Sequence, residues 1–104
     1  MMKQWNILID IDALSDIKAS IEWYNKQSPK LGIRFGNQVS QQINSLKINP
    51  EAYGVRYLNV RCMLIKKFPF LVHFIIGNDN TVSVFAIFHT SRNPMIWTKR
   101  KGGE

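Results

Sequence analysis

Hydrophobic residues change their spacing along this chain, and each change marks an element. From Lys3 to Asp10 the period is two: Lys3, Trp5, Ile7 and Ile9 share one side, which predicts a strand with one well-buried face. The period then lengthens. Leu14, Ile17, Ile21 and Tyr24 recur at three and four residues while Ser15, Lys18, Glu22 and Asn25 point away, so a helix is expected, with Asp12 able to cap it. Ser28-Pro29 should end that helix, because the residue before a proline avoids the α region, and the same pair suits the start of another. Leu31, Phe35, Val39, Ile43 and Leu46 form the second stripe, among Arg34, Asn37, Gln38, Gln41 and Gln42, and Asn49-Pro50 should stop it. Gly32 is expected to relieve crowding where the two helices meet.

Four segments of strand character follow: Val55–Val60, Cys62–Lys66, Phe70–Ile76 and Thr81–His89. Lys67-Phe68-Pro69 makes a turn, since proline cannot donate to a central ladder, and Gly77-Asn78-Asp79-Asn80 makes a hairpin loop. In the last strand Val82, Val84, Ala86 and Phe88 should share one face and Ser83, Phe85, Ile87 and His89 the other, both apolar enough to be covered. The expected fold is α+β: a first strand, an α-helical hairpin and an antiparallel meander, with the helices on one face of a single antiparallel sheet. Leu14, Ile17, Ile21, Phe35, Val39, Ile43 and Leu46 should then be mostly buried. Residues 1–101 make one domain and 102–104 a flexible end.

Composition narrows the setting. A chain of 104 residues can bury roughly 65% of its unfolded surface, enough for a core without staples. Cys62 is the only cysteine, so no internal disulfide forms, and the N-terminus does not read as a signal peptide; a reducing cytoplasm is expected. The apolar run around Phe68–Gly77 is broken by Pro69 and His73 and falls short of a membrane span. Charge is lopsided: residues 1–54 hold six Lys/Arg against five Asp/Glu, and residues 55–104 hold eight against two, which carries nearly all of the net +7. Such asymmetry attracts nucleic acid or an acidic protein surface.

The ordered set of motifs resembles the ParE/RelE superfamily of type II toxin–antitoxin toxins, its ParE-like branch above all. The resemblance rests on Asp16-Ile17 and Trp23-Tyr24, Pro29-x-Leu31-Gly32-x-Arg34-Phe35, Asn49-Pro50, Phe68-Pro69-Phe70, and His89-x-x-Arg92-x-Pro94-x-x-Trp97-x-x-Arg100. It implies a cognate antitoxin whose C-terminal segment wraps the toxin in a hetero-oligomer, and operator DNA reached only through that antitoxin. It implies DNA gyrase as the target of ParE-like members and ribosome-bound mRNA as that of RelE-like ones.

The tail carries the candidate chemistry. Cleaving RNA would need a base for the 2′-OH, cations for the charge on phosphorus and a ring to hold a nucleobase. His89 could be that base, Arg61, Arg92 and Arg100 could hold phosphate, and Trp97 could stack. The plainer reading is structural: His89 closes the strand by hydrogen bonding, Arg92 with Pro94 fixes the turn, and Trp97 packs the tail back on the helices. RelE-like nucleases often carry a C-terminal Tyr, and this tail has none, so a binding surface of Arg61, Lys66, Lys67, Arg92, Trp97, Lys99 and Arg100 is favoured over catalysis. A non-toxic member that only binds an antitoxin is a third reading. His73 reads as a core or partner-facing histidine, no metal-ligand spacing is present, and no cofactor is expected.

Overall fold

In the computed structural model, residues 4–102 are described, with side chains to residue 100. Lys3 of the expected first strand, the Lys101 side chain and residues 103–104 of the expected flexible end lie outside the described residues. The elements are β1 Asn6–Ile9, α1 Ile11–Gln27, α2 Leu31–Ser45, a 3₁₀ turn Pro50–Ala52, β2 Val55–Tyr57, β3 Val60–Leu64, β4 Phe70–Gly77, β5 Thr81–His89 and α3 Pro94–Gly102. The strands form one sheet in the order β1-β5-β4-β3-β2. The meander is antiparallel as expected, but β1 runs parallel to β5, so the sheet is mixed. The helical hairpin returns the chain on one face of the sheet, and such a crossover brings the last strand beside the first in the same direction.

The α1 N-cap is Asp10, whose carboxylate accepts the Ala13 N–H; Asp12 sits in the first turn instead. The Ser28 N–H closes α1 on the Tyr24 carbonyl, and α2 starts at Leu31 with no side-chain cap. Helical winding outlasts α2 as i→i+3 bonds up to the Ile48 N–H, so the chain leaves the helix before Asn49. A Cβ on Gly32 would come within 2.5 Å of the Ile21 carbonyl, which is the crowding expected there. The first two meander strands break at Leu58, whose φ of 47° makes the β2–β3 turn inside the expected Val55–Val60 strand. The turns at Lys67 and at Asp79-Asn80 lie where expected, also in left-handed backbone.

Two cores result. Between the sheet and the α1/α2 pair, Phe35, Val39 and Leu46 are fully buried against Met63, Val72, Phe74, Val82 and Val84. From α1, Ala13 and Tyr24 go fully inside, Ile17 and Ile21 are half-buried, and Leu14 is 52% exposed, so the α1 stripe is rotated from expectation. The opposite face carries a second core of Val60, Cys62, Leu71, Phe85, Ala86, Phe88 and Trp97. The tail is therefore a helix and covers the far side of the sheet, not the helical hairpin. Asn93 caps it by accepting the Met95 N–H, and Pro94 occupies its first turn.

Candidate functional site

The site begins with a one-residue irregularity in β5. His73 pairs with Ala86 and Phe74 with Val84, leaving Phe85 as the extra residue of a bulge. The bulge reverses the phase of the strand. Val84 and Ile87 both enter the helix-side core, while Phe85, Ala86 and Phe88 enter the other. Beyond Val84 the strand has lost its β1 neighbour, and side chains replace it: the Ile87 N–H donates to an Asp16 oxygen at 2.9 Å and Arg100 donates to the Phe85 carbonyl at 3.3 Å. Arg100 also holds both Asp16 oxygens, at 3.0 and 3.3 Å, and lies over the Phe88 ring. The bond to Asp16 raises the pKa of Arg100 still further.

A hollow of about 380 Å³ opens beside this clasp, between α1 and the end of β5. Ala19, Trp23, Phe70 and Ile87 give it an apolar lining, and Asp16, Ser20, His89 and Arg92 supply polar groups. Trp23 is 57% exposed although it is an indole, and it meets Tyr24 edge-on. The His89 Nδ1 accepts the Ser91 N–H at 3.0 Å and lies 2.8 Å from the Ser91 hydroxyl, so the neutral ring carries its proton on Nε2. The Thr90 N–H bonds to the Pro69 carbonyl, which ties the β5 end to the turn bearing exposed Lys66 and Lys67. Tyr24 packs on Phe68, bringing the last turn of α1 with Lys26 to the same end. Arg92 is thus the cation that lines the hollow, and Lys26, Lys66 and Lys67 lie on segments at the same end of the fold.

The family model for the ParE toxin of type II toxin-antitoxin system, parDE, matches residues 7–94, which span β1 to the start of α3. The chain belongs to the ParE toxin family. The fold agrees with solved structures. The chromosomal ParDE toxin–antitoxin system of P. aeruginosa superposes with a TM-score of 0.75 at 14% identity, over 84% of this chain and 97% of that one. A mutant of the E. coli toxin RelE in the free state gives 0.68 at 13% identity, over 94% and 95%. The intact E. coli RelBE toxin–antitoxin complex gives 0.62 at 15%, over 85% and 99%. No curated protein sequence matches.

Within this ParE-family fold the expected site residues do not converge. Arg92 and His89 share the hollow, but the Arg61 guanidinium bonds to the Tyr53 carbonyl at 2.6 Å and reaches the Glu51 carbonyl at 3.5 Å. The register puts Arg61 two strands across and four residues along from His89, about 16 Å away by strand geometry. Arg100 is ion-paired to Asp16, and Lys99 is exposed on α3. Trp97 is 9% exposed beneath α3, 4.7 Å from the His73 ring and 5.7 Å from Tyr57, so it has no free face for a base. His73 is a core histidine, its Nδ1 3.0 Å from the Tyr57 hydroxyl; burial, with Arg56 and Arg100 nearby, lowers its pKa to about 4. Burial raises the Cys62 thiol to about 11, which keeps it a thiol. Among the described residues no group of three or more His, Cys, Asp or Glu could hold a metal, and no helix is long and apolar enough to cross a membrane.

Sequence reasoning missed Trp23, Ser20 and Asp16 as site residues. The exposed tryptophan left a signal, because Trp23 lies outside the α1 apolar stripe. Gln42 was also undervalued as a plain polar position. It is buried and clips α2 to the β3–β4 turn, donating to the Leu64 carbonyl and accepting the Lys66 N–H.

Proposed function

We propose that this ParE-family toxin is held inactive by a cognate antitoxin and acts by docking its basic end on a protein target, DNA gyrase, without cleaving RNA. The observation that supports this reading is the scatter of the nuclease candidates: Arg61 pins a 3₁₀ turn, Arg100 pairs with Asp16, and only Arg92 accompanies His89. General acid–base cleavage needs base, acid and phosphate-binding cations within hydrogen-bond reach of one phosphodiester. A recognition surface has no such requirement: Arg92 and the exposed Trp23 at one hollow are residue types enriched at interface hot spots, and Lys66 and Lys67 at the same end add charge that steers an acidic partner. The antitoxin, in a cytoplasmic hetero-oligomer, covers the basic end with acidic and apolar residues and carries any contact with operator DNA. Its segment lies in the groove between helices and sheet or adds to a sheet edge.

Growth arrest, gyrase supercoiling and ribosome-dependent mRNA cleavage, scored for His89→Gln and Arg92→Glu, test the mechanism. Inhibited supercoiling, an active His89→Gln variant and an inactive Arg92→Glu variant are expected. Translated mRNA cleaved by the parent and spared by His89→Gln, a loss of the order of 10²-fold or more, would replace the binding reading with an enzymatic one.

A further inference from the structure

The outer edge of β1 presents backbone groups to which the rest of the described chain offers no strand. The Asn6 and Asp10 N–H groups donate to the Asn80 and Val84 carbonyls at 2.8 and 3.0 Å, so the even-numbered residues of β1 face β5. Ile7 and Ile9, which alternate with them, turn both backbone groups outward, and neither finds a backbone partner among the described residues. At the start of that edge the Trp5 N–H bonds to the Lys47 carbonyl, which places Lys47 beside β1. Proteins blunt such edges with proline, charge, brevity or a bulge. At the other edge of the sheet, β2 is three residues long, carries Arg56 and pairs with β3 in an irregular register. The Asn-Ile-Leu-Ile of β1 has no proline, charge or bulge.

The surface around this edge is apolar. Leu8 is 60% exposed, Ile11 is 78% exposed where α1 begins, and Leu14 is exposed one turn later. On the helix side a second hollow of about 410 Å³ opens beside Ile7, Ile9, Leu14, Ile17, Ile43 and Lys47, and it shares no lining residue with the hollow at the end of β5. The two ends of β1 carry opposite charge: Lys47 stands beside Trp5, and Asp10 and Asp12 stand at the start of α1, all three exposed. An antiparallel copy of the same strand reverses that order. With the two Leu8 residues opposite each other, each Ile7 faces an Ile9 and each Trp5 faces an Ile11, so the Lys47 of either copy comes to the Asp10 and Asp12 end of the other. The edge is complementary to itself in hydrogen bonding, in apolar surface and in charge.

We propose that the β1 edge is a self-association surface: a second copy of this chain pairs its β1 antiparallel to the first, across a twofold axis at Leu8, and joins the two five-stranded sheets into one. Each Ile7 exchanges both backbone bonds with an Ile9, the exposed Leu8, Ile11 and Leu14 side chains are covered, and a Lys47–Asp12 ion pair closes either side. This surface lies apart from the basic end and goes beyond the toxin reading, on which it does not depend.

Sedimentation equilibrium of the purified full chain tests this. So short a paired edge should give a dimer with a dissociation constant on the order of 10 μM. Leu8→Lys changes a side chain already exposed in the monomer and sets two ammoniums face to face at the axis, so it should weaken the dimer at least about tenfold. Lys47→Glu and Asp12→Lys, both at exposed positions and expected to keep the parent's circular dichroism, should each be monomeric alone and dimerise when mixed, because only the mixed pair restores opposite charges at both ends. Hydrogen exchange at the Ile7 and Ile9 amides should slow as protein concentration rises. A chain that stays monomeric overturns the proposal, as does a dimer that Leu8→Lys leaves intact or a mixture of the two charge variants that stays monomeric. Ile7 and Ile9 amides that slow only on addition of an antitoxin also overturn it, and would assign the edge to the antitoxin.

Discussion

His73 is fully buried, touching Tyr57, Cys62, Phe85, Phe88 and Trp97, with the charges of Arg56 and Arg100 bearing on it. Its pKa of about 4 lies below the 6.5 of the unfolded chain, so the unfolded state binds a proton first as pH falls. The stability tied to the neutral ring is complete above pH 6.5 and is lost progressively down to about pH 4, by a total of about 3 kcal/mol. Urea midpoints at pH 7 and 4.5 check this: the loss on acidification should shrink in His73→Gln relative to the parent. An unchanged loss would mean that carboxylates alone set the acid limb. The mid-strand position of His73 already announced a core histidine. Its depressed pKa came from neighbours on β2, β3, β5 and α3 that no local spacing shows.

At the scale of elements, Asp16 and Arg100 join α1, β5 and α3 where β1 stops short. Asp16→Ala would leave a half-buried guanidinium without its counter-ion and a strand-edge N–H without its acceptor, and should destabilise the protein by about 2–3 kcal/mol. Asp16→Asn can still accept the Ile87 N–H and should cost less. Amide hydrogen exchange should show the loss first in α3 and the second half of β5; uniform loss of protection would instead mark the three elements as one unit. Helix and turn positions were legible because their signals are local: stripe spacing, Pro29, Pro50, and the asparagines and glycine of the last hairpin. The α3 helix was not, since among its described residues Trp97 is the buried anchor, and the three cations Lys99, Arg100 and Lys101, with Arg92 before them, read equally well as a solvated tail.

For the whole molecule, the lopsided charge and exposed Trp23 lead to a prediction about assembly. Co-expression with a neighbouring gene for a short acidic-tailed antitoxin should give a complex stable to gel filtration, and the toxin alone should express poorly. Two separate monomeric peaks would count heavily against the module. The order of elements from β1 to β5, the α1/α2 hairpin and the core stripe of α2 were determined by the sequence alone, because period, proline and turn chemistry act within a few residues of one another. The parallel pairing of β1, the rotation of the α1 stripe and the face covered by α3 were decided only by tertiary structure. So was the site. A single bulge at Phe85 turns Ile87 and His89 toward α1, where strict alternation would have sent His89 to the opposite face from Val84. The sequence contains the residues of the hollow, but the shift that brings His89, Arg92 and Trp23 together depends on where β1 ends and on side chains remote in sequence that satisfy the edge it leaves open.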